Sequence, residues 1–336
     1  MKASHRVSLL TLALCTICPA FFAQQREPPT PSTDDEEVVR VSTALVTVPV
    51  SVSDRQGRFI PDLRREDFHI YEDGVEQEVA FFETADKPFT VALLLDTSDS
   101  ARLKFKEIQD AAVAFLEQLR TEDRVIVIAF DSNVNVLSDA TADRARAAAA
   151  VRRAQSGGGT SLYEAVAAVT GRRLKAVPGR KAVILFTDGV DTSSKRATFE
   201  STLRAVEELD AVIYTVQYKT DGDVASAFQN SVGQQIVTAK GEPLDVAYKR
   251  AGLYLHQLAG VSGGRYYSAG SSSMLAEAFA RIAAELRRQY SLGYYPQNRS
   301  AAGKRRHLKV RISVPDAAVR ARGGYIYQPE ADPPQR

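Results

Sequence analysis

Four short apolar runs limit what this chain can become. VALLL at 91–95, VIVIAF at 125–130, AVILFT at 182–187 and AVIYTVQ at 211–217 are almost unbroken in hydrophobicity, and the stretches near 102–120, 141–154, 161–176 and 196–209 read as helices. A strand that is apolar on both faces must be covered on both faces. In a chain of alternating strands and helices that means a mostly parallel sheet between two helical layers. The pattern predicts a doubly wound α/β domain over 88–290. Helices around 246–259 and 273–289 complete it, with the strand RYYSA between them and a poorly periodic insertion at 219–245 before them.

The flanks have a different period. VTVPVSVS at 46–53 places Val46, Val48, Val50 and Val52 on one face, and Pro49 marks it as an edge strand. FHIYE and VEQEVAFFE flank Asp73 and Gly74, a hairpin pair in which both residues tolerate positive φ. Three such strands do not hold together alone. HLKVRISV offers Leu308, Val310, Ile312 and Val314 on one face, and VRARGGYIY supplies another strand. Segments 39–87 and 291–328 are therefore expected to be the two halves of one small all-β domain, with the α/β domain inserted between them.

The 336 residues, 44% hydrophobic and 25% charged, suffice for both domains. Lys2 and Arg6 precede an apolar run at 9–23, and the polar QQREPPTPSTDDEE follows it. This reads as a signal peptide at 1–23 and a solvated leader at 24–38, with a polar tail at 329–336. The expected location is the periplasm or the extracellular space. No later segment approaches a membrane span. Both cysteines, Cys15 and Cys18, lie inside the signal, so thiol catalysis and cysteine metal sites are excluded after its removal. The 43 basic and 41 acidic side chains leave +2, and loss of Lys2 and Arg6 brings the balance to zero. No bulk field draws the chain to nucleic acid or to an anionic membrane.

Oxygen ligands gather where the apolar strands end. VALLL runs into Asp96, Thr97, Ser98, Asp99 and Ser100, VIVIAF into Asp131 and Ser132, and AVILFT into Asp188 and Gly189. Thr160 follows three glycines and precedes a helix. In an open parallel sheet these carboxyl ends are where ligands bind. Hydroxyls and carboxylates without histidine or cysteine suit a hard divalent cation, Mg²⁺ or Mn²⁺, rather than zinc.

DTSDS, GGGTSLYEA and FTDG, in that order, resemble the von Willebrand factor A domain. The flanks EDFHIYEDG and QYSLGYYPQN resemble a bacterial exported subfamily of it, first noted in acidobacteria. The resemblance implies a metal-ion-dependent adhesion site (MIDAS). Asp96, Ser98 and Ser100 match its first motif, Thr160 its second and Asp188 its third. It implies a divalent ion there, usually Mg²⁺, with Mn²⁺ or Ca²⁺ as alternatives, and one position open to a carboxylate of an extracytoplasmic protein partner. The expected function is an exported binding or adhesion module rather than an enzyme. An accessory or assembly subunit of an envelope complex is the alternative, and a hydrolase is less favoured. Asp99 departs from the pattern, because the family usually has a small residue at that position.

Other readings of these residues are weaker. Ser98, Ser100 and Thr160 are also helix-capping types. GGGTS lacks the Gly-Lys-Ser/Thr of a phosphate loop. Glu200 falls one position late for an EF-hand starting at Asp188. Ser98 lacks a hydrolase elbow, and none of His5, His69, His256 or His307 accompanies a motif. Lys304, Arg305 and Arg306 read as a solvated loop or an edge guard, and the tyrosines of RYYSA, QYSLGYYPQ and GYIYQ as packing where the two domains meet.

Overall fold

A computed structural model describes residues 45–84, 87–218, 237–238, 240–298 and 303–327. The expected signal peptide, leader and tail, and most of the 219–245 insertion, lie outside the described residues. In chain order the first strands are β1 (Val46–Ser53), β2 (Phe68–Glu72), β3 (Val75–Gln77) and β4 (Phe81–Glu83). Then come β5 (Phe89–Asp96), a 3-10 turn at Asp99–Lys104, α1 (Phe105–Glu117), β6 (Arg124–Phe130), β7 (Val134–Thr141), α2 (Arg144–Arg153) and α3 (Leu162–Ala168). These are followed by β8 (Arg180–Thr187), α4 (Phe199–Glu207), β9 (Val212–Tyr218), α5 (Leu244–Ser262), β10 (Tyr266–Ala269) and α6 (Ser272–Leu286). The last strands are β11 (Tyr290–Tyr294), β12 (Arg305–Ile312), β13 (Ala318–Ala321) and β14 (Gly324–Ile326).

The apolar runs form one six-stranded sheet in the order β10-β9-β8-β5-β6-β7. Every neighbouring pair is parallel except β6 and β7. β5 is buried along its whole length, and its side chains serve both layers. Val91, Leu93 and Leu95 pack with Ile108 and Phe115 of α1, Ala147 of α2 and Phe279 of α6. Ala92 and Leu94 pack with Leu162 of α3, Val206 of α4 and Leu255 of α5. The unbroken run is thus the signature of a strand covered twice. Strand β7 was not expected. Its half-buried VNVLSDAT carries only weak apolar alternation, and the helix expected from 141 begins after Asp143, whose side chain accepts the Arg146 N–H. The helix expected over 161–176 is α-helical only to Ala168 and then widens into a π turn at Val169–Arg173.

The flanking segments build a sandwich of two four-stranded antiparallel sheets, β13-β1-β11-β4 and β14-β12-β2-β3. Each sheet mixes N-terminal with C-terminal strands, and they share one core of Val48, Val50, Phe68, Ile70, Leu292 and Leu308, among others. The hairpin turn is formed as expected, with Asp73 at φ 47° and Gly74 at φ 86°. Three expectations change. β1 is an inner strand, not an edge: β11 pairs with Val46 to Val50 and β13 with Val50 to Ser53, so Pro49 sits where only β11 is alongside. VEQEVAFFE is two strands in different sheets, because the chain crosses the core at the buried Val79. VRARGGYIY likewise divides between β13 and β14.

Arg306 is also not solvated. It is buried beside Glu72, whose Oε1 accepts its Nη1 at 2.6 Å with side chains 4% and 3% exposed. Glu72 Oε2 accepts the hydroxyls of Tyr294 at 2.5 Å and Tyr325 at 2.7 Å, so strands β2, β11, β12 and β14 meet on one carboxylate. The Arg306 guanidinium lies 3.9 Å from the centre of the Tyr327 ring. Tyr290, Tyr294, Tyr325 and Tyr327 therefore belong to the sandwich core rather than to the domain junction. That junction turns on Glu285, which accepts from Arg320 of β13 and from the Tyr214 hydroxyl at 2.7 Å. Gly263 ends α5 at φ 77°, and a Cβ there would stand 2.6 Å from the Arg322 nitrogen. Among the described residues no helix is long and apolar enough to cross a membrane.

Arg306→Met leaves Glu72 charged and buried and should cost about 3–5 kcal/mol in urea unfolding, while adding Glu72→Gln should restore part of that loss. Truncation after Gln289 removes both neighbours of β1. Residues 45–84 should then become protease-sensitive, and a resistant fragment holding β1 to β4 would contradict the interleaved sandwich.

Candidate metal site

Strand order reverses at β5, which lies between β8 and β6, so its carboxyl end opens on the switch-point crevice. Asp96, the last residue of β5, is fully buried. Its Oδ1 accepts the Ser98 N–H at 2.9 Å and its Oδ2 the Thr187 hydroxyl at 2.6 Å. Neither donor carries a charge. The Ser98 and Ser100 hydroxyls are 3.0 Å apart, with Ser98 buried and Ser100 half-buried at the rim.

The glycine loop is laced onto this turn by its backbone. Gly157 N donates to Thr97 O at 2.8 Å, and Asp99 N donates to Gly158 O at 3.2 Å. A Cβ on Gly157 would come within 1.9 Å of Asp131 Oδ2, and one on Gly159 within 2.2 Å of Ser193 Oγ, so these two glycines are what allows the close approach. Thr160 is buried, its N–H donates to Thr192 Oγ1 at 2.8 Å, and its carbonyl accepts the N–H groups of Thr192 and Ser193. Helix α3 therefore starts at the crevice with Thr160 at its entrance.

From the third side, β8 delivers Thr187 and Asp188. Asp188 Oδ1 accepts the Val190 N–H at 3.0 Å, and Gly189 takes φ 89° with α5 against it, where a Cβ would meet Ala251 and Leu255 at 2.9 Å. Gln217 Nε2 donates to the Asp188 carbonyl at 2.8 Å. Asp99 is exposed and starts the 3-10 turn with an ordinary negative φ, so the aspartate causes no backbone strain.

Burial and the nearby Asp188 carboxylate push the Asp96 carboxyl up to about 7, against the hydrogen bonds from Ser98 and Thr187. The Tyr218 hydroxyl is buried beside Ser98 and Asp188 and is raised well above its usual range by burial and by the same two carboxylates. A buried carboxylate pair has the polarity that a cation would satisfy. Among the described residues no group of three or more His, Cys, Asp or Glu side chains could hold a metal. An ion here would therefore rest on hydroxyls as much as on carboxylates, which suits a hard cation.

Sequence reasoning passed over three neighbours. Thr187 closes an otherwise apolar run, and that polar ending was a usable signal. Tyr218 carried none. Asp191 accepts the Tyr163 N–H at 3.3 Å, the Ser194 hydroxyl at 2.5 Å and Lys240 Nζ at 2.9 Å, tying α3 to the Asp188 turn.

Residues 91–190 match the family model described as von Willebrand factor type A domain, a span that contains all five residues of the constellation. The match does not extend to the flanks on which the subfamily resemblance rests. No curated protein matches the chain. Solved structures similar to it include a von Willebrand factor type A protein from Catenulispora acidiphila, 16% identical over 82% of this chain and 76% of that one, with a TM-score of 0.46. The vWF domain of a type V pili tip protein from Porphyromonas gingivalis is 13% identical over 59% and 94%, with a TM-score of 0.45. Proximal thread matrix protein 1 from the mussel byssus, with a zinc-occupied MIDAS motif, is 11% identical over 64% and 49%, with a TM-score of 0.47.

Because the Asp96 carboxyl holds its proton more tightly folded than unfolded, its contribution to stability is full below about pH 4 and is lost as pH rises towards 7. A tenfold difference in proton affinity between the two states corresponds to about 1.4 kcal/mol. In EDTA, urea unfolding across pH 4–8 should show this decline, and Asp96→Asn should remove it from the difference curve.

Proposed function

We propose that the protein is an exported, metal-ion-dependent protein-binding module that captures an acidic group of an extracytoplasmic partner and does no chemistry on it. The observation that carries this reading is the pair of buried carboxylates, Asp96 and Asp188, at the switch point, with the Ser98 and Ser100 hydroxyls on the turn after Asp96 and the loop that carries Thr160 hydrogen-bonded to that turn. Asp96 and Asp188 would supply negative charge, and the three hydroxyls neutral oxygens. Two carboxylates only balance a dication. A Mg²⁺ or Mn²⁺ ion bound there would offer an electrophilic centre to a carboxylate oxygen from outside. Ser100, half-buried at the rim, marks the side from which a partner reaches the site. The exposed Asp99 lies on the same rim and would bias the choice of partner against dense acidic clusters. Export is supported by the sequence of residues 1–23 alone.

Mg²⁺ or Mn²⁺ should raise the melting temperature by mass action on the folded state, with about 2.7 kcal/mol expected at a hundred times the dissociation constant. Asp188→Ala should abolish that response, and Asp96→Ala should abolish magnesium-dependent retention of envelope proteins on the immobilised chain. An unchanged melting curve of the wild type with millimolar cation at pH 8 would end the metal reading.

A further inference from the structure

A cleft of about 580 Å³ opens at the domain junction, where the end of α6 and the start of β10 face β13, the end of β1 and the loop after it. Four arginines line it from both sides: Arg265 before β10, Arg281 on α6, Arg288 just beyond α6, and Arg320 on β13. Glu285 is the one carboxylate among the lining residues. It is paired with Arg320 and Arg265. Oε1 accepts from Arg320, from the Tyr214 hydroxyl and, at 3.4 Å, from Ser51, while Arg265 stands 3.8 Å from Oε2. Arg281 pairs along its own helix with Glu277, both side chains well exposed, and Arg288 is exposed. The partial negative charge at the carboxyl end of α6 accounts for one arginine there, but not for four converging from three parts of the chain.

We propose that this cleft binds a small polyanion, a ligand with two or more closely spaced phosphate or sulfate groups. Guanidinium forks match tetrahedral oxyanions, and the volume is that of a small-molecule site. A single oxyanion would engage one wall, whereas two or more can reach Arg281 and Arg288 on one side and the β13 side on the other. Tyr267 and Phe59 add aromatic surface to the same walls. The cleft is remote from Asp96. Arg180, the first residue of β8, donates to Leu286 O at 2.6 Å, so the end of α6 lies at the amino edge of the sheet, opposite the metal residues. An occupant would therefore clamp the α/β domain to the sandwich, independently of any cation.

The test is calorimetric titration of the full chain with tripolyphosphate, orthophosphate and a heparin-derived sulfated oligosaccharide, in low salt without divalent cations. Tripolyphosphate or the oligosaccharide should bind saturably, at least about tenfold more tightly than orthophosphate, and the tighter of the two identifies the source of the oxyanions. Arg281→Ala with Arg288→Ala should weaken binding at least about tenfold and flatten its salt dependence, without altering the melting temperature of the free protein. Asp96→Ala should leave it unchanged, which separates this site from the metal reading. Absence of saturable binding by either polyanion at millimolar concentration, or undiminished binding in the double variant, would overturn the proposal.

Discussion

Placing Asp96, fully buried, at the end of the central strand beside Asp188 is the constraint around which the α/β domain is arranged. Two carboxylates withdrawn from water repel each other, and burial disfavours the charged form of Asp96. The surroundings answer with neutral donors: the Ser98 and Val190 N–H groups and the Thr187 hydroxyl. These orient the oxygens without cancelling their charge. The close-fitting glycines follow from the same need. Gly157, Gly159 and Gly189 let the Thr160 loop and α5 approach closely around the buried Asp96 and Asp188.

The sandwich meets the opposite problem, since its halves are separated in sequence by the whole α/β domain. Closing so long a loop costs entropy that local contacts cannot return. The answer is a core that neither half can form alone, with Glu72 gathering Arg306, Tyr294 and Tyr325 from three C-terminal strands onto one N-terminal carboxylate. A buried ion pair contributes little to stability in itself, but an unpaired Glu72 would be expensive, so the network penalises every arrangement in which the C-terminal strands slip or dissociate.

What was legible in the sequence was whatever one residue pattern determines by itself. The four apolar runs specify a doubly covered sheet, Asp73 and Gly74 specify a turn, and the ends of the runs place Asp96 and Asp188. What escaped needed a partner to become meaningful. VNVLSDAT becomes a strand only against β6, and VEQEVAFFE breaks at Val79 only because two facing sheets need the chain on both sides of one core. Pro49 misled because the rule for proline concerns hydrogen bonds to a second neighbour, and β13 ends at Ala321, opposite Val50, and does not reach it. Arg306 looked like one of three surface cations because nothing in its neighbours along the chain shows that Glu72, 234 residues earlier, faces it.

The two solutions fit together through strand polarity. The parallel strands all point the same way, so every contact with the sandwich can fall at their amino edge and every site residue at their carboxyl edge. Glu285 near the end of α6 and Gly263 before β10 carry the junction, and Arg180, which begins β8, is bonded to Leu286 at the end of α6. Thr187 ends the same strand of 8 residues, and Asp188 follows it. At roughly 3.3 Å per residue the length of β8 separates the two edges by about 23 Å. The chain therefore enters and leaves the α/β domain at the sandwich, and tethering at both ends fixes the orientation of the sheet without approaching the crevice. The proposed role depends on this separation, because anything packed against Ser100 would cover the face from which the proposed partner reaches Asp96 and Asp188.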